Sequence, residues 1–137
     1  MMTRTILPPA PQPVAADRIS VLLVEDDPVL RETLRAGLAN EFRVIGLEDG
    51  RSFLPAVYFY RPQIVLMDLN LGTGGEGLTL FDELRSRPEL DDVRILFITA
   101  RRDNESFLDS HAKGANGFLY KPFTIPELRA RMRDLLK

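Results

Sequence analysis

Short apolar runs alternate with helical patterns along the chain from Ile19 onward. The runs hold four to six residues, many of them β-branched or aromatic, and predict five strands: Ile19–Val24, Phe42–Leu47, Gln63–Met67, Arg94–Ile98 and Gly117–Tyr120. Most runs are continuously apolar, as strands covered on both faces are. Five strand–helix repeats therefore predict an α/β fold, a doubly wound five-stranded parallel sheet with helices on both faces.

Helix signals fill the intervals between these strands. The boundary signals are Asp27 as N-cap before Pro28, a second start near Ser52, a stop for the third helix at Pro88, and a fifth start at Thr124. A fourth, weakly amphipathic helix is predicted over residues 104–112. The apolar positions expected to be buried are Leu30, Leu34 and Leu38, then Leu80, Phe81 and Leu84, and finally Ile125, Leu128, Met132, Leu135 and Leu136.

The composition restricts the class of protein. The chain has 137 residues, no cysteine, and 18 basic against 20 acidic residues. The lack of cysteine excludes a disulfide scaffold and a thiol nucleophile, and the net charge of −2 argues against a nucleic-acid-binding surface. No apolar run approaches the roughly 20 residues of a membrane span, and the start lacks the features of a signal peptide. We expect a single cytoplasmic domain without membrane or direct nucleic-acid contacts.

Residues 1–17 differ in composition from the rest of the chain. They contain Pro8, Pro9, Pro11 and Pro13 and few residues suited to a core. This composition predicts an extended or disordered tail, with a linker or partner-binding arm as the alternative. The folded domain is expected to cover residues 18–137.

Polar residues follow four of the predicted strands: Glu25-Asp26-Asp27 the first, Asp68 the third, Thr99 the fourth and Lys121 the fifth. In a parallel sheet these positions share one edge, where ligands bind. Taken singly, Asp27 is a helix cap and Lys121 a surface lysine. Taken together, clustered carboxylates repel unless a cation such as Mg²⁺ compensates them, and Lys121 suits a phosphate. A metal, a carboxylate nucleophile, a hydroxyl and an ammonium are what phosphoryl transfer to an aspartate needs.

Four motifs of the sequence resemble the receiver domain of two-component response regulators. They are Val-Glu-Asp-Asp at 24–27, Val-Leu-Met-Asp-Leu-Asn at 65–70, Ile-Thr-Ala at 98–100 and Gly-Ala-Asn-Gly-Phe-Leu-Tyr-Lys-Pro-Phe at 114–123. All four occur in order and at appropriate spacing, so the resemblance is highly specific and covers nearly the whole chain. It implies the flavodoxin-like (βα)5 fold with strand order 2-1-3-4-5, which agrees with the alternation of strands and helices.

The resemblance also implies a chemical role for individual residues. Asp68 is the expected phosphoacceptor for a sensor histidine kinase or a histidine phosphotransfer protein. Mg²⁺ is the expected cofactor, held by Glu25, Asp26 and Asp68 and by the backbone carbonyl of Asn70. Asn70 and Arg101 are expected to influence the lifetime of the acyl phosphate, in a direction that the sequence does not fix. The domain is not expected to be an enzyme beyond its own phosphorylation and dephosphorylation.

A second group of residues is implied to carry the signal. Thr99 is expected to hydrogen-bond the acyl phosphate, Lys121 to pair with it, and Pro122 to follow in the cis peptide usual for the family. Phe118 occupies the switch position and is expected to turn inward after phosphorylation, with permanent burial as the alternative. The expected output surface, for a partner protein or domain, consists of the fourth predicted helix (104–112), the fifth strand and the fifth predicted helix. A homodimer is left open.

The sequence departs from the family after Asp68. The usual proline is missing and the loop is one residue longer, with four glycines in the six positions 72–77. This stretch also reads G-x-G-x-x-G, but its position in the loop and the lack of an acid at 97–99 argue against a dinucleotide-binding fold. An aspartyl-phosphate hydrolase would carry an aspartate where this chain has Asn70. A receiver-like interaction module that accepts no phosphate is the third alternative.

The remaining charged residues are expected to be structural. His111 is the single histidine and is interpreted as a surface or boundary residue. Arg129 and Arg133 share a helix face, and Arg131 is placed to pair with Glu127. A solvated or partner-binding face is therefore favoured over DNA contact. The sequence does not identify the kinase, the stimulus or the output, nor whether the receiver stands alone or belongs to a longer regulator.

Overall fold

The computed structural model describes residues 18–69, 76–100 and 115–137. In order along the chain these contain β1 (Ile19–Val24), α1 (Pro28–Leu38), β2 (Phe42–Leu47), α2 (Phe53–Tyr60), β3 (Ile64–Asp68), α3 (Glu76–Arg85), a 3-10 turn (Pro88–Leu90), β4 (Arg94–Thr99), β5 (Gly117–Tyr120) and α4 (Ile125–Leu135). The predictions for the tail 1–17, for residues 70–75 of the glycine-rich loop, for Arg101, for helix 104–112 and for His111 fall outside the described residues. Within the three described ranges, no helix is long and apolar enough to cross a membrane.

The five strands form one parallel sheet in the order β2-β1-β3-β4-β5, which confirms the predicted doubly wound fold. The predictions for β3 and β4 ended one residue too early. Asp68 pairs with Ile98, and Thr99 pairs with Tyr120, so both polar residues belong to the sheet ladder rather than to the loops after it. The carboxyl ends of β1, β3, β4 and β5 therefore meet along one edge.

Two apolar cores lie on opposite faces of the sheet. The first core lies under α2 and α3 and contains Leu22, Val24, Val57, Val65, Met67, Phe81, Leu84 and Phe97. The second core lies under α1 and α4 and contains Val21, Leu23, Leu34, Leu38, Leu66, Ile98, Leu128 and Met132. Side chains alternate between the faces along each strand, so continuously apolar strands are buried on both sides.

Helix caps fix where α1 and α4 begin. The Asp27 carboxylate accepts hydrogen bonds from the backbone amides of Val29 and Leu30, with Pro28 in the first helical position, as predicted. Thr124 and Glu127 cap α4 reciprocally, each side chain accepting from the backbone amide of the other. These bonds orient both helices against the sheet edge that carries the polar residues.

Two expectations for α4 were wrong. Leu128 and Met132 are buried, whereas Ile125, Leu135 and Leu136 pack against the second core but are only partly buried, as is Leu30 of α1. Arg131 donates to the Phe118 carbonyl oxygen at 2.6 Å instead of pairing with Glu127, whose carboxylate caps the helix. Arg129 and Arg133 both pair with Glu41, which ties α4 to the residue before β2.

Candidate functional site

Three carboxylates converge at the carboxyl edge of the sheet. Glu25 and Asp26 follow β1, Asp68 ends β3, and these two strands are neighbours with Val24 beside Met67. One oxygen of each carboxylate lies within 4.8 Å of one oxygen of each of the others. Glu25 is 1% exposed and Asp68 5% exposed, whereas Asp26 faces solvent. The arrangement is a partly buried acidic cluster with one open side.

A close approach of α3 fixes the backbone on the far side of Asp68. A Cβ added at Gly77 would lie 2.7 Å from the Asp68 carbonyl oxygen and 2.9 Å from the Leu69 Cα. These distances are shorter than real Cβ contacts, so a larger residue would push α3 away from β3. The last glycine of the glycine-rich stretch is therefore required by the packing of α3 against the end of β3.

Lys121 supplies a positive charge to the cluster. Its Nζ donates to the Asp68 Oδ2 at 3.0 Å and lies 3.6 Å from the Glu25 Oε1. Burial by itself lowers the pKa of Lys121, but the hydrogen bond to Asp68 and the two carboxylate charges outweigh it, so the pKa lies above its ordinary value. The lysine is therefore fully protonated at neutral pH. The Lys121–Pro122 peptide bond is cis, as the resemblance implied.

One ammonium does not neutralise the cluster. Burial raises the pKa of Glu25 to about 7, partly offset by the Asp27 amide, which donates to its Oε2 at 3.1 Å; the charge of Asp68 raises this pKa further. Within the described ranges, the buried Oε1 of Glu25 accepts no hydrogen bond. An oxygen-only donor set with an unsatisfied buried carboxylate oxygen and excess negative charge fits a hard divalent cation such as Mg²⁺. A cation bound here would compete with the proton on Glu25.

Thr99 ends β4, and Phe118 lies in the neighbouring strand β5. Thr99 is fully buried at the end of β4, and strand alternation places its side chain on the face of Phe97. Phe118 is partly buried and stacks on Phe97, with ring centroids 5.6 Å apart and an interplanar angle of 16°. The predicted hydroxyl and the predicted switch aromatic thus face the same core. Asn70 and Arg101, the residues assigned to phosphate lifetime, lie outside the described residues.

One contact of the cluster was not anticipated from the sequence. Arg31, on the first turns of α1, donates from Nη1 to the carbonyl oxygen of Glu25 at 2.7 Å. The stem of the Arg31 side chain lies directly over Gly46 in β2. A glycine inside a strand often marks such a close approach, so Gly46 was the signal in the sequence.

The fold and the site define a class of protein. A doubly wound parallel sheet that gathers carboxylates and a lysine at its carboxyl edge is the arrangement of receiver modules in two-component signalling. The family description "Response regulator receiver domain" matches residues 21–133. The chain belongs to this family.

Curated relatives share the same family. The chain is 38% identical over 120 residues to the response regulator MprA of Mycolicibacterium vanbaalenii, covering 87% of this chain and 51% of the relative. It is 30% identical over 114 residues to the transcriptional regulatory protein KdpE of Staphylococcus aureus, covering 82% of this chain and 48% of the relative. The chain thus spans about half the length of the curated relatives it matches.

Solved structures agree with the fold. A crystal structure described as that of a response regulator from Chloroflexus aurantiacus superposes with a TM-score of 0.78 at 30% identity, covering 88% of this chain and 98% of that chain. The chemotaxis protein CheY4 of Vibrio cholerae gives a TM-score of 0.77 at 24% identity, covering 86% of this chain and 98% of that chain, and shows the fold alone. The flavodoxin-like fold predicted from the sequence is confirmed.

Proposed function

We propose that Asp68 accepts a phosphoryl group from a sensor histidine kinase or a histidine phosphotransfer protein. The supporting observation is the buried Asp68 carboxylate, held 3.0 Å from the Lys121 ammonium within a cluster of three acids. A carboxylate oxygen of Asp68 attacks phosphorus, the P–N bond of the phosphohistidine breaks, and the imidazole of the donor takes up a proton. An acyl phosphate on Asp68 results.

Mg²⁺ would be held by Glu25, Asp26 and Asp68 and, by resemblance, by the backbone carbonyl of Asn70. When bound, the ion compensates the negative charge that the phosphoryl group brings to an acidic site. Lys121 is already hydrogen-bonded to Asp68, so its ammonium can pair with a phosphoryl oxygen after a small rotation. The carboxylate of Glu25, the most buried member of the cluster, would be one of the oxygen ligands of the ion.

The signal is a shift between two conformations. A phosphoryl group adds about −1.5 to −2 charges and three strong acceptors, which draw the Thr99 hydroxyl toward Asp68. Phe118, which stacks on Phe97 on the same face, turns further into the space that Thr99 leaves. The output surface of residues 104–112, β5 and α4 changes with it, and Asn70 and Arg101 set how long the acyl phosphate lasts. The domain acts in the cytoplasm by binding a partner protein or an attached output domain, and dephosphorylates itself.

Phosphate incorporation from a small phosphodonor tests this function. With Mg²⁺, acetyl phosphate should label the chain with one phosphoryl group that hydroxylamine removes, as expected for an acyl phosphate. With a chelator in place of Mg²⁺, the rate should fall by about 100-fold or more, because the anionic donor must enter an acidic site without charge compensation. No incorporation under either condition would favour the alternative of an interaction module that accepts no phosphate.

An exposed apolar side chain beside the site suggests where a protein donor docks. Val29 is 74% exposed on the first turn of α1, three residues after Asp26. Exchanging Val29 for lysine should slow phosphotransfer from a phosphohistidine protein by about tenfold, because one central apolar contact is worth roughly that much. Labelling by acetyl phosphate should not change.

The matched control is Phe59→Lys, which changes another exposed apolar residue, 79% exposed on α2 and remote from the site in the sequence. It should leave both reactions unchanged. Equal slowing by the two variants, or slowing of the acetyl phosphate reaction by Val29→Lys, would contradict a docking role for this turn of α1.

A further inference from the structure

We propose that Arg31 is a positioning residue that holds the acidic loop between β1 and α1 in its metal-binding geometry. Gly46 in β2 leaves the space in which the Arg31 side chain packs. The inference deepens the proposed function and rests on its use of a cation at Glu25 and Asp26. It assigns a role to two residues that carry no carboxylate and lie outside the acidic cluster.

Arg31 holds the backbone at the point where the acids begin. Its Nη1 donates to the Glu25 carbonyl oxygen at 2.7 Å, and the Glu25 amide donates to the Leu47 carbonyl oxygen at 3.0 Å. Glu25 is thus tied to β2 through its amide and to α1 through its carbonyl. A charged donor makes a stronger hydrogen bond than a neutral one, so the Arg31 bond fixes the peptide that leads into Asp26.

Local bonds close the same loop. The Asp27 amide donates to the Glu25 Oε2 at 3.1 Å, and the Arg31 amide donates to the Asp27 carbonyl oxygen at 2.9 Å in the first turn of α1. Arg31 therefore meets the loop at both ends, through its backbone at Asp27 and through its side chain at Glu25. Asp26 lies between these anchors with its carboxylate open to solvent.

Gly46 sets the path of the Arg31 side chain. A Cβ added at Gly46 would lie 3.0 Å from the Arg31 Cδ and 3.1 Å from its Cγ, so the stem of the arginine lies against the bare strand. Gly46 does not adopt the left-handed backbone region, and β-branched residues suit an edge strand such as β2. A valine at position 46 should therefore be tolerated by the strand and displace the arginine.

The effect of neutralising Arg31 on Mg²⁺ affinity distinguishes a positioning role from a purely electrostatic one, because the two roles predict opposite changes. A cation beside an acidic site repels Mg²⁺, so a purely electrostatic role predicts that neutralising Arg31 tightens Mg²⁺ binding. Positioning predicts the opposite, because a loosened loop must be ordered again when the ion binds. Loss of outer-shell partners usually weakens metal binding by about 10- to 100-fold.

The test measures Mg²⁺ binding by calorimetry on the full chain and on three variants. Arg31→Ala should raise the dissociation constant by about tenfold. Gly46→Val should raise the Mg²⁺ dissociation constant to a smaller extent, without lowering the melting temperature of the metal-free protein. Arg35→Ala, which removes a cation one turn further along α1 where it pairs with Glu32, should leave it unchanged. Unchanged or tighter binding by Arg31→Ala, or an equal effect of Arg35→Ala, would overturn the proposal.

A second measurement needs no metal. Hydrogen exchange of the Asp27 amide, which donates to the Glu25 side chain, should be faster in Arg31→Ala and Gly46→Val than in the wild type, with Arg35→Ala unchanged. If the wild type shows no saturable Mg²⁺ binding, the proposed function fails, while exchange still shows whether Arg31 holds the loop. If the wild type binds Mg²⁺ and exchange is equal in all variants, the Arg31 proposal alone fails.

Discussion

Asp68→Asn is expected to lower phosphate incorporation from acetyl phosphate by more than about 100-fold, with Mg²⁺ present. An amide oxygen is a far weaker nucleophile than a carboxylate oxygen, and asparagine has nearly the shape of aspartate. Asp68 is 5% exposed at the end of β3, so a different carboxylate does not readily take its place. Incorporation is measured as hydroxylamine-labile phosphate per chain over time.

Stability separates this chemical loss from unfolding. The Asp68 charge is one of the causes that raise the pKa of Glu25, so the two carboxylates repel in the metal-free protein. Asp68→Asn removes that repulsion and leaves an oxygen that accepts from Lys121, so the melting temperature should equal or exceed that of the wild type. Asp92→Asn, at an exposed carboxylate before β4, is the control and should incorporate phosphate normally. Equal labelling of Asp68→Asn and wild type would refute the assignment of Asp68.

Phe97→Ala should have the largest effect on stability, about 3–5 kcal/mol of unfolding free energy. Phe97 is fully buried in the first core, with its ring centroid 5.5 Å from that of Phe81 and 5.6 Å from that of Phe118. Alanine would leave a cavity and remove both ring contacts. Because whole domains are stable by only about 5–15 kcal/mol, the variant should unfold at a much lower denaturant concentration.

The control for Phe97→Ala is Phe59→Ala, which removes the same atoms from a side chain that is 79% exposed. That change should stay within about 0.5 kcal/mol of the wild type in chemical denaturation. A similar loss in both variants would mean that the first core is not packed as described. The switch proposed for Phe118 would also depend on this packing, because the Phe118 ring stacks on the Phe97 ring.

Strands and capped helices were predictable because their signals are local. β1, β2 and β5 have the predicted bounds, and Asp27-Pro28 marked the start of α1. The ends of β3 and β4 were missed because the last residue of each strand is polar, Asp68 and Thr99, although it pairs with the neighbouring strand. A search for apolar runs stops before such a residue. The 3-10 turn Pro88–Leu90 was missed for a similar reason, since a proline marks the end of a helix without indicating the conformation of the next residues.

The part of the candidate site that was predictable from the sequence consists of the residues that directly follow or end the parallel strands. Parallel strands brought Glu25, Asp68 and Lys121 to one edge, and the structure places them in contact distance. The burial of Glu25 and the contact of Arg31 with its carbonyl were not predictable in this way, because they depend on how α1 packs on β2. The sequence contains one sign of that packing, a glycine at position 46 inside β2. A glycine in a strand indicates that another group approaches the backbone closely, but it does not identify that group as Arg31.

The most direct test of phosphoryl transfer to Asp68 locates the phosphoryl group on the chain. Borohydride reduces an acyl phosphate to an alcohol, so reduction after acetyl phosphate treatment should convert Asp68 to homoserine, identified by peptide mass spectrometry. We predict this conversion at Asp68 and nowhere else, and only when Mg²⁺ was present during labelling. Phosphate on a serine, a threonine or His111, or an unmodified Asp68 in a labelled chain, would contradict the proposed function.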